Sequence, residues 1–249
     1  MRSAVSRGKI KALTFSPDFP WKDCVVVTAK DIPGRNYVAL IEDDQPVLAD
    51  GKVMNRTEPI ALIAHPSRAM AYEALKHVRV DYEPLEPVLT IEDSLAAQHR
   101  IYGADNVFKS FLIEKGNLRA GFDQAALVVE GEYRLPHQEQ AYIENNGMAA
   151  WREKNGTLTV MGSMQCPYYV QKALVKVFGL PNEKVRIVQA VTGGGFGGKE
   201  EYPSILAAHA ALLALKAKRP VKMIYDRQED MAATTKRHPA IVRHKTALS

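Results

Sequence analysis

Lys184-Val-Arg-Ile-Val-Gln-Ala-Val-Thr-Gly-Gly-Gly-Phe-Gly-Gly-Lys-Glu-Glu201 decides how this chain folds. Its first half, Lys184 to Val191, alternates as a strand does. Its second half, Thr192 to Glu201, holds five glycines around one bulky apolar residue, Phe196. A helix-like apolar run starts near Pro203. Strand, glycine loop and helix in that order let bare backbone N–H groups approach an anionic ligand.

The same alternation continues outward. Downstream, helix Pro203–Lys216 leads to a strand at Val221–Tyr225. Upstream, Val170, Ala173, Leu174, Val177 and Phe178 recur at helical spacing between Pro167 and Gly179, a start and a stop signal. Gly147–Trp151 and Thr157–Met161 flank Glu153-Lys-Asn-Gly156, which predicts a tight hairpin. Leu127, Val129, Gly131, Tyr133 and Leu135 alternate with polar or outward positions, the pattern of a half-buried strand. In the first hundred residues, Val25–Val27 is a short strand closed by the turn Asp31-Ile-Pro-Gly34. Pro59–Ala64 suits a buried strand, and Pro66 is expected at the first position of a helix through Ala69, Tyr72, Leu75 and Lys76. Val78–Tyr82 reads as a strand stopped by Pro84 and Pro87. His99 to Arg119, with Gly103 and Gly116, reads as a linker, and no repeat is visible.

The 249 residues are 46% hydrophobic and 24% charged, with a net charge of +5. Such a chain is globular and long enough for one large domain or two ordinary ones. Lys and Arg are scattered rather than blocked, which argues against nucleic acid as a partner. Cys24 and Cys166 lack CxxC spacing and read as reduced thiols of a cytoplasmic protein, not as a disulfide framework or a zinc site. No apolar run reaches the roughly 18 residues that span a bilayer. Met1-Arg-Ser-Ala-Val-Ser-Arg-Gly-Lys9 has no apolar secretory core.

Two nucleotide motifs compete for the glycine loop. Gly193-x-x-x-x-Gly198-Lys199 nearly spells a phosphate loop, but Glu200 stands where Ser or Thr must hold Mg²⁺, and its charge would repel a triphosphate. Gly193-x-Gly195-x-x-Gly198 satisfies a dinucleotide fingerprint, whose ribose-binding acid belongs about 20 residues on. That region is Lys216-Ala-Lys-Arg219, and the next acid is Asp226. A loop that merely lets backbones pack closely stays open at this level.

Four motifs follow one another in order. They are Gln138-Glu-Gln-Ala-Tyr-Ile-Glu144, Ser163-Met-Gln-Cys166, the loop Gly193–Glu200, and Asp226-Arg-Gln-Glu-Asp-Met231 with Arg237-His-Pro239. Together they resemble the molybdenum-cofactor subunit of the xanthine dehydrogenase/aldehyde oxidase family, and the first hundred residues are similar to its α/β hammerhead domain. The resemblance implies an α+β chain. Residues 1–103 would be a hammerhead domain incomplete at its N-terminus, and 104–120 a linker. Residues 121–249 would be the first molybdopterin-binding α+β domain, incomplete at its C-terminus.

The resemblance further implies a molybdenum hydroxylase subunit that oxidatively hydroxylates a purine-like N-heterocycle with water as oxygen source. An aldehyde or nicotinate-type substrate, or a noncatalytic domain that binds partners, stays open. The cofactor would be molybdenum–molybdopterin, plain or as the cytosine dinucleotide. Iron–sulfur [2Fe–2S] and FAD groups would sit on partner subunits or other domains, because no cluster motif or flavin segment occurs in this chain. By the resemblance, Gln165 hydrogen-bonds a molybdenum oxo ligand, and Gly195, Phe196 and Gly197 bring backbone to the metal centre. Glu200 would contact the heterocycle. Each has a plainer alternative: Gln165 as a helix cap, Phe196 as a core anchor, Glu200 as an acid favoured by the helix dipole.

His137, Glu139, Glu144 and His238 fit no standard metal spacing. Glu144, Asp226 and Arg237 are expected as ion-pair or hydrogen-bond partners, and Tyr168-Tyr169 as core and rim. The family's substrate arginine, further pterin contacts and catalytic glutamate would lie beyond Ser249. No catalytic residue is therefore assigned, and the isolated chain, without the remainder of the molybdenum subunit, is expected to be inactive.

Overall fold

A strand and a helix flank the glycine stretch, as its periodicity predicts. The computed structural model describes residues 1–38 and 44–248. The chain begins β1 (Gly8–Phe15), β2 (Val25–Thr28), β3 (Tyr37–Val38), β4 (Gln45–Pro46), β5 (Lys52–Val53), β6 (Ala61–Ala64), α1 (Arg68–Lys76) and β7 (Val78–Pro84). It continues with α2 (Ile91–Ala96), α3 (Leu118–Asp123), β8 (Leu127–Leu135), β9 (Gly147–Arg152) and β10 (Leu158–Gly162). Then come α4 (Pro167–Phe178), β11 (Val185–Gln189), α5 (Pro203–Ala217), β12 (Val221–Ile224), α6 (Arg227–Ala233) and β13 (Ala240–Leu248). The α+β class is the one the sequence predicts.

Two compact units form: Met1–Glu86 with Gln140–Thr235, and Pro87–Glu139 with Lys236–Ser249. The first unit thus draws on both the 1–103 and the 121–249 segments. Its main sheet has the order β11-β10-β9-β12. β9 and β10 pair antiparallel across the Asn155-Gly156 turn, where Gly156 takes φ 85°. β10 and β11 pair in parallel, so α4 is the crossover between them. α4 starts with Pro167, ends at left-handed Gly179, and buries the five residues that its spacing picks out.

α5 is the centre of this unit. Every residue from Pro203 to Ala214 is buried, which explains why this run shows no polar face. The helix touches β9, β10, β12, α4, β2 and β6. Val27, Val47, Leu48 and Leu62 from the N-terminal segment join Met148, Val160, Leu174, Leu206 and Leu213 in one core. A smaller sheet in the same unit, ordered β5-β1-β7, encloses Ala49, Val53 and Ile60.

Three local expectations change. α1 begins at Arg68, because the Ser67 hydroxyl accepts the Met70 N–H at 3.4 Å and caps the helix, leaving Pro66 outside it. β7 runs on through Pro84, which an edge strand tolerates. β8 is not half-buried: among the described residues it pairs along its whole length with β13 alone, and nearly every residue of it is exposed.

Candidate functional site

Gln165 sits just before the start of α4, and the glycine loop closes around it. Its backbone N–H donates to Lys199 O at 2.7 Å. Its side-chain Oε1 accepts from the N–H groups of Gly197 and Lys199, both at 3.1 Å. Two N–H donors require an oxygen facing them, so the amide can point only one way. Nε2 has no partner among the described residues. The amide serves the loop, not the first turn of α4, which removes the capping alternative.

The loop owes its path to its glycines at few, specific points. Gly194 and Gly197 take φ 94° and 90°, the left-handed region. A Cβ on Gly195 would lie 2.3 Å from Gln165 Oε1, whereas one on Gly197 would meet nothing within 4 Å. Phe196, itself at φ 51°, is 75% exposed and is no core anchor. Glu200 is half-buried and, among the described residues, has neither hydrogen-bond nor ion-pair partner. Glu200 lies two residues before Tyr202, the N-cap of α5, whose first turn itself holds no acid. Burial, and after it the Glu200 charge, pushes the Cys166 thiol up.

The residues that hold the loop include several that sequence reasoning missed. Lys199 is wholly buried. Its Nζ lies 2.8 Å from Glu144 Oε2 and 3.1 Å from Ser163 Oγ, and 4.7 Å from the Tyr142 ring centroid. Glu144 Oε2 also accepts from Ser163 Oγ at 2.6 Å and from the Gly193 N–H at 2.7 Å. Burial alone would raise the Glu144 carboxyl, but hydrogen bonds from Lys199, Ser163 and Gly193 outweigh it and hold it below the ordinary carboxylate value. Behind them Tyr142 donates to Asp230 Oδ1 at 2.8 Å and accepts from Asn146 Nδ2 at 2.7 Å, all three residues being buried. Glu144 was legible as a polar partner. Lys199 was not, because a lysine after glycines reads as a solvated anion binder.

Asp226 caps α6 through the Glu229 N–H at 2.8 Å. In the second unit, Arg237 donates to Pro136 O at 2.8 Å, and its backbone bridges to Gln138. Both act as the structural partners expected of them. Tyr168 lies on the surface, 74% exposed. Cys24 and Cys166 are free thiols. Among the described residues no group of three or more His, Cys, Asp or Glu could hold a metal ion. Nor, among them, is any helix long and apolar enough to cross a membrane.

A model of the molybdopterin cofactor-binding domain matches residues 101–249, and one of the aldehyde oxidase and xanthine dehydrogenase a/b hammerhead domain matches residues 1–86. The chain belongs to the xanthine dehydrogenase/aldehyde oxidase family of molybdenum hydroxylases. It is 37% identical over 216 residues to the nicotinate dehydrogenase large molybdopterin subunit of Eubacterium barkeri, covering 86% of this chain and 50% of that protein. To a probable xanthine dehydrogenase subunit of Bacillus subtilis (strain 168) it is 36% identical over 222 residues, 89% of this chain and 30% of that one. The aldehyde oxidoreductase structure from Desulfovibrio gigas superposes with a TM-score of 0.87 at 25% identity, covering 99% of this chain and 28% of that one. The chain therefore spans half or less of these molybdenum hydroxylase relatives. Gln165, the glycine loop and Glu200 all fall inside the segment matched as cofactor-binding.

Proposed function

We propose that this chain forms one wall of the active site in a cytoplasmic molybdenum hydroxylase acting on a purine-like N-heterocycle. The overall reaction takes heterocycle and water to hydroxylated heterocycle, two protons and two electrons. The observation that carries this reading is the Gln165 amide, oriented by two loop N–H groups with its own Nε2–H₂ left to donate. An amide donates without adding a competing charge, so it suits an electron-rich ligand oxygen. The open side of Gly197 beside exposed Phe196 gives backbone that a bulky anionic group can approach. These residues fit a molybdenum–pterin cofactor, plain or as the cytosine dinucleotide, which when bound supplies the two-electron oxidation. Iron–sulfur and FAD partner subunits would carry the electrons away. Glu200, without a partner among the described residues and one residue past the loop's lysine, is suited to take a ring N–H of the substrate.

The test is turnover by the assembled enzyme. Gln165→Ala is expected to lower kcat about a hundredfold, the usual cost of one directed donor. Glu200→Ala is expected to raise KM for heterocycles. Indifference to both substitutions would leave a noncatalytic, partner-binding domain as the better account. A pyridine carboxylate is the second reading for substrate, favoured by the 37% identity to nicotinate dehydrogenase. Hypoxanthine, nicotinate and an aromatic aldehyde compared side by side on one preparation decide among them.

A further inference from the structure

We propose that Lys199 and Glu144 are positioning residues, an ion pair between a buried lysine and a partly exposed glutamate that sets the direction in which Gln165 presents its amide; this rests on the site reading above. Lys199 grips Gln165 through its main chain on both sides, taking the Gln165 N–H at 2.7 Å and giving its own N–H to Oε1 at 3.1 Å. Its side chain runs the other way, into Glu144 and Ser163. Glu144 Oε2 meanwhile holds the Gly193 N–H, at the far end of the loop. Both ends of the glycine loop are thus tied to one carboxylate oxygen.

Such a tie is needed because a glycine-rich loop loses more conformational freedom on ordering than any other stretch. Little inside the loop can hold it: Phe196 faces solvent, and Gly197 touches nothing on its open side. Beside one internal turn, Gly198 N–H to Gly195 O at 2.7 Å, the loop is tied from outside by Gln165 and Ser163 and, through a charged contact, by Glu144 to Lys199. Removing either partner leaves the other charge buried or half-buried and unmatched. The loop then shifts, and Gln165 Oε1 loses the N–H pair that aims the amide.

A double-substitution cycle in the assembled holoenzyme tests this. Lys199→Met is expected to lower kcat about tenfold to a hundredfold with little change in KM, the usual cost of a group that orients a site residue. In a Gln165→Ala background the same substitution is expected to cost less than about twofold, because the two act through one amide. The electron-paramagnetic-resonance line shape of the metal in partly reduced enzyme should change alike in Lys199→Met and Gln165→Ala. Equal losses in both backgrounds, or an unchanged line shape, would overturn the proposal. Glu144→Gln keeps size and acceptor and serves if Lys199→Met does not fold; the same cycle is expected of it. Hydrogen exchange reads the loop independently of turnover. In either variant the 193–200 amides should exchange faster while α4 and β11 stay protected. Unchanged loop exchange overturns the proposal even if the enzyme's substrate proves to be something else, whereas a wild type without molybdenum or turnover defeats only the site reading.

Discussion

Gln165 has its oxygen satisfied twice by the loop and, among the described residues, its nitrogen left without a partner, and that asymmetry gives a sharp handle at the residue scale. Gly195→Ala places a methyl 2.3 Å from Oε1 in a buried position, so the amide must move. A misplacement of about 1 Å costs roughly a hundredfold in rate, and kcat of the assembled enzyme should fall by about that much while Gly197→Ala is limited to its backbone strain. Retained activity in Gly195→Ala would separate catalysis from the Gln165 geometry. His209 gives a second handle. Its Nε2 lies 2.7 Å from Val47 O, which makes it the protonated nitrogen of a neutral ring, and burial, partly offset by that hydrogen bond, lowers its pKa from 6.5 to about 3. A folded value below the unfolded one means that the stabilisation is whole above pH 6.5 and is lost as pH falls towards about 3. The loss approaches ~1.4 kcal/mol per pH unit in that window. Denaturant midpoints measured against pH for wild type and His209→Gln check it: the wild type should show the steeper acid dependence, and parallel curves would refute the assignment.

The helices and strands were read from the sequence in proportion to how far local pattern decides them. α4 announces itself, with an apolar stripe between Pro167 and Gly179, and the β9–β10 hairpin follows from Asn155-Gly156. α6 does not, since Arg227–Ala233 has too few residues for a periodic face and is held by the Asp226 cap and buried Asp230. The far end of α4 was equally hidden. Its carbonyls at Val177 and Lys176 accept the N–H groups of Gly34 and Arg35 at 2.9 and 3.0 Å, a cap supplied from the N-terminal segment. A Cβ on Gly34 would lie 2.3 Å from Lys176 O. Gly34→Ala is therefore expected to destabilise the first unit by about 1–3 kcal/mol, the range for overpacking a tight contact, as read from urea midpoints. A cost under about 0.5 kcal/mol, typical of a surface change, would show that the cap yields freely.

At the scale of the whole molecule, the chain spans half or less of the length of the two curated relatives named above. Phe196 is 75% exposed, and among the described residues neither Gln165 Nε2 nor the Glu200 side chain has a partner. The chain purified alone is expected to hold well under stoichiometric molybdenum and to turn over no heterocycle; metal analysis beside an oxidation assay checks both, and a fully loaded, active preparation would refute it. Short-range information sufficed for much of this protein: periods of two and 3.6 residues, proline and glycine at helix ends, and the glycine spacing that put a loop between β11 and α5. Those features are decided within a few residues of each other, so the sequence by itself determined them, together with the α+β class. What only the tertiary structure decided depends on contacts between distant positions. Lys199 meets Ser163 and Glu144 across separations of 36 and 55 residues, and nothing local marks it as buried. The same holds for β8, whose alternation is that of a strand over a core, yet which among the described residues pairs with β13 alone. Periodicity tells which face of a strand could be covered, and long-range packing alone decides whether anything covers it.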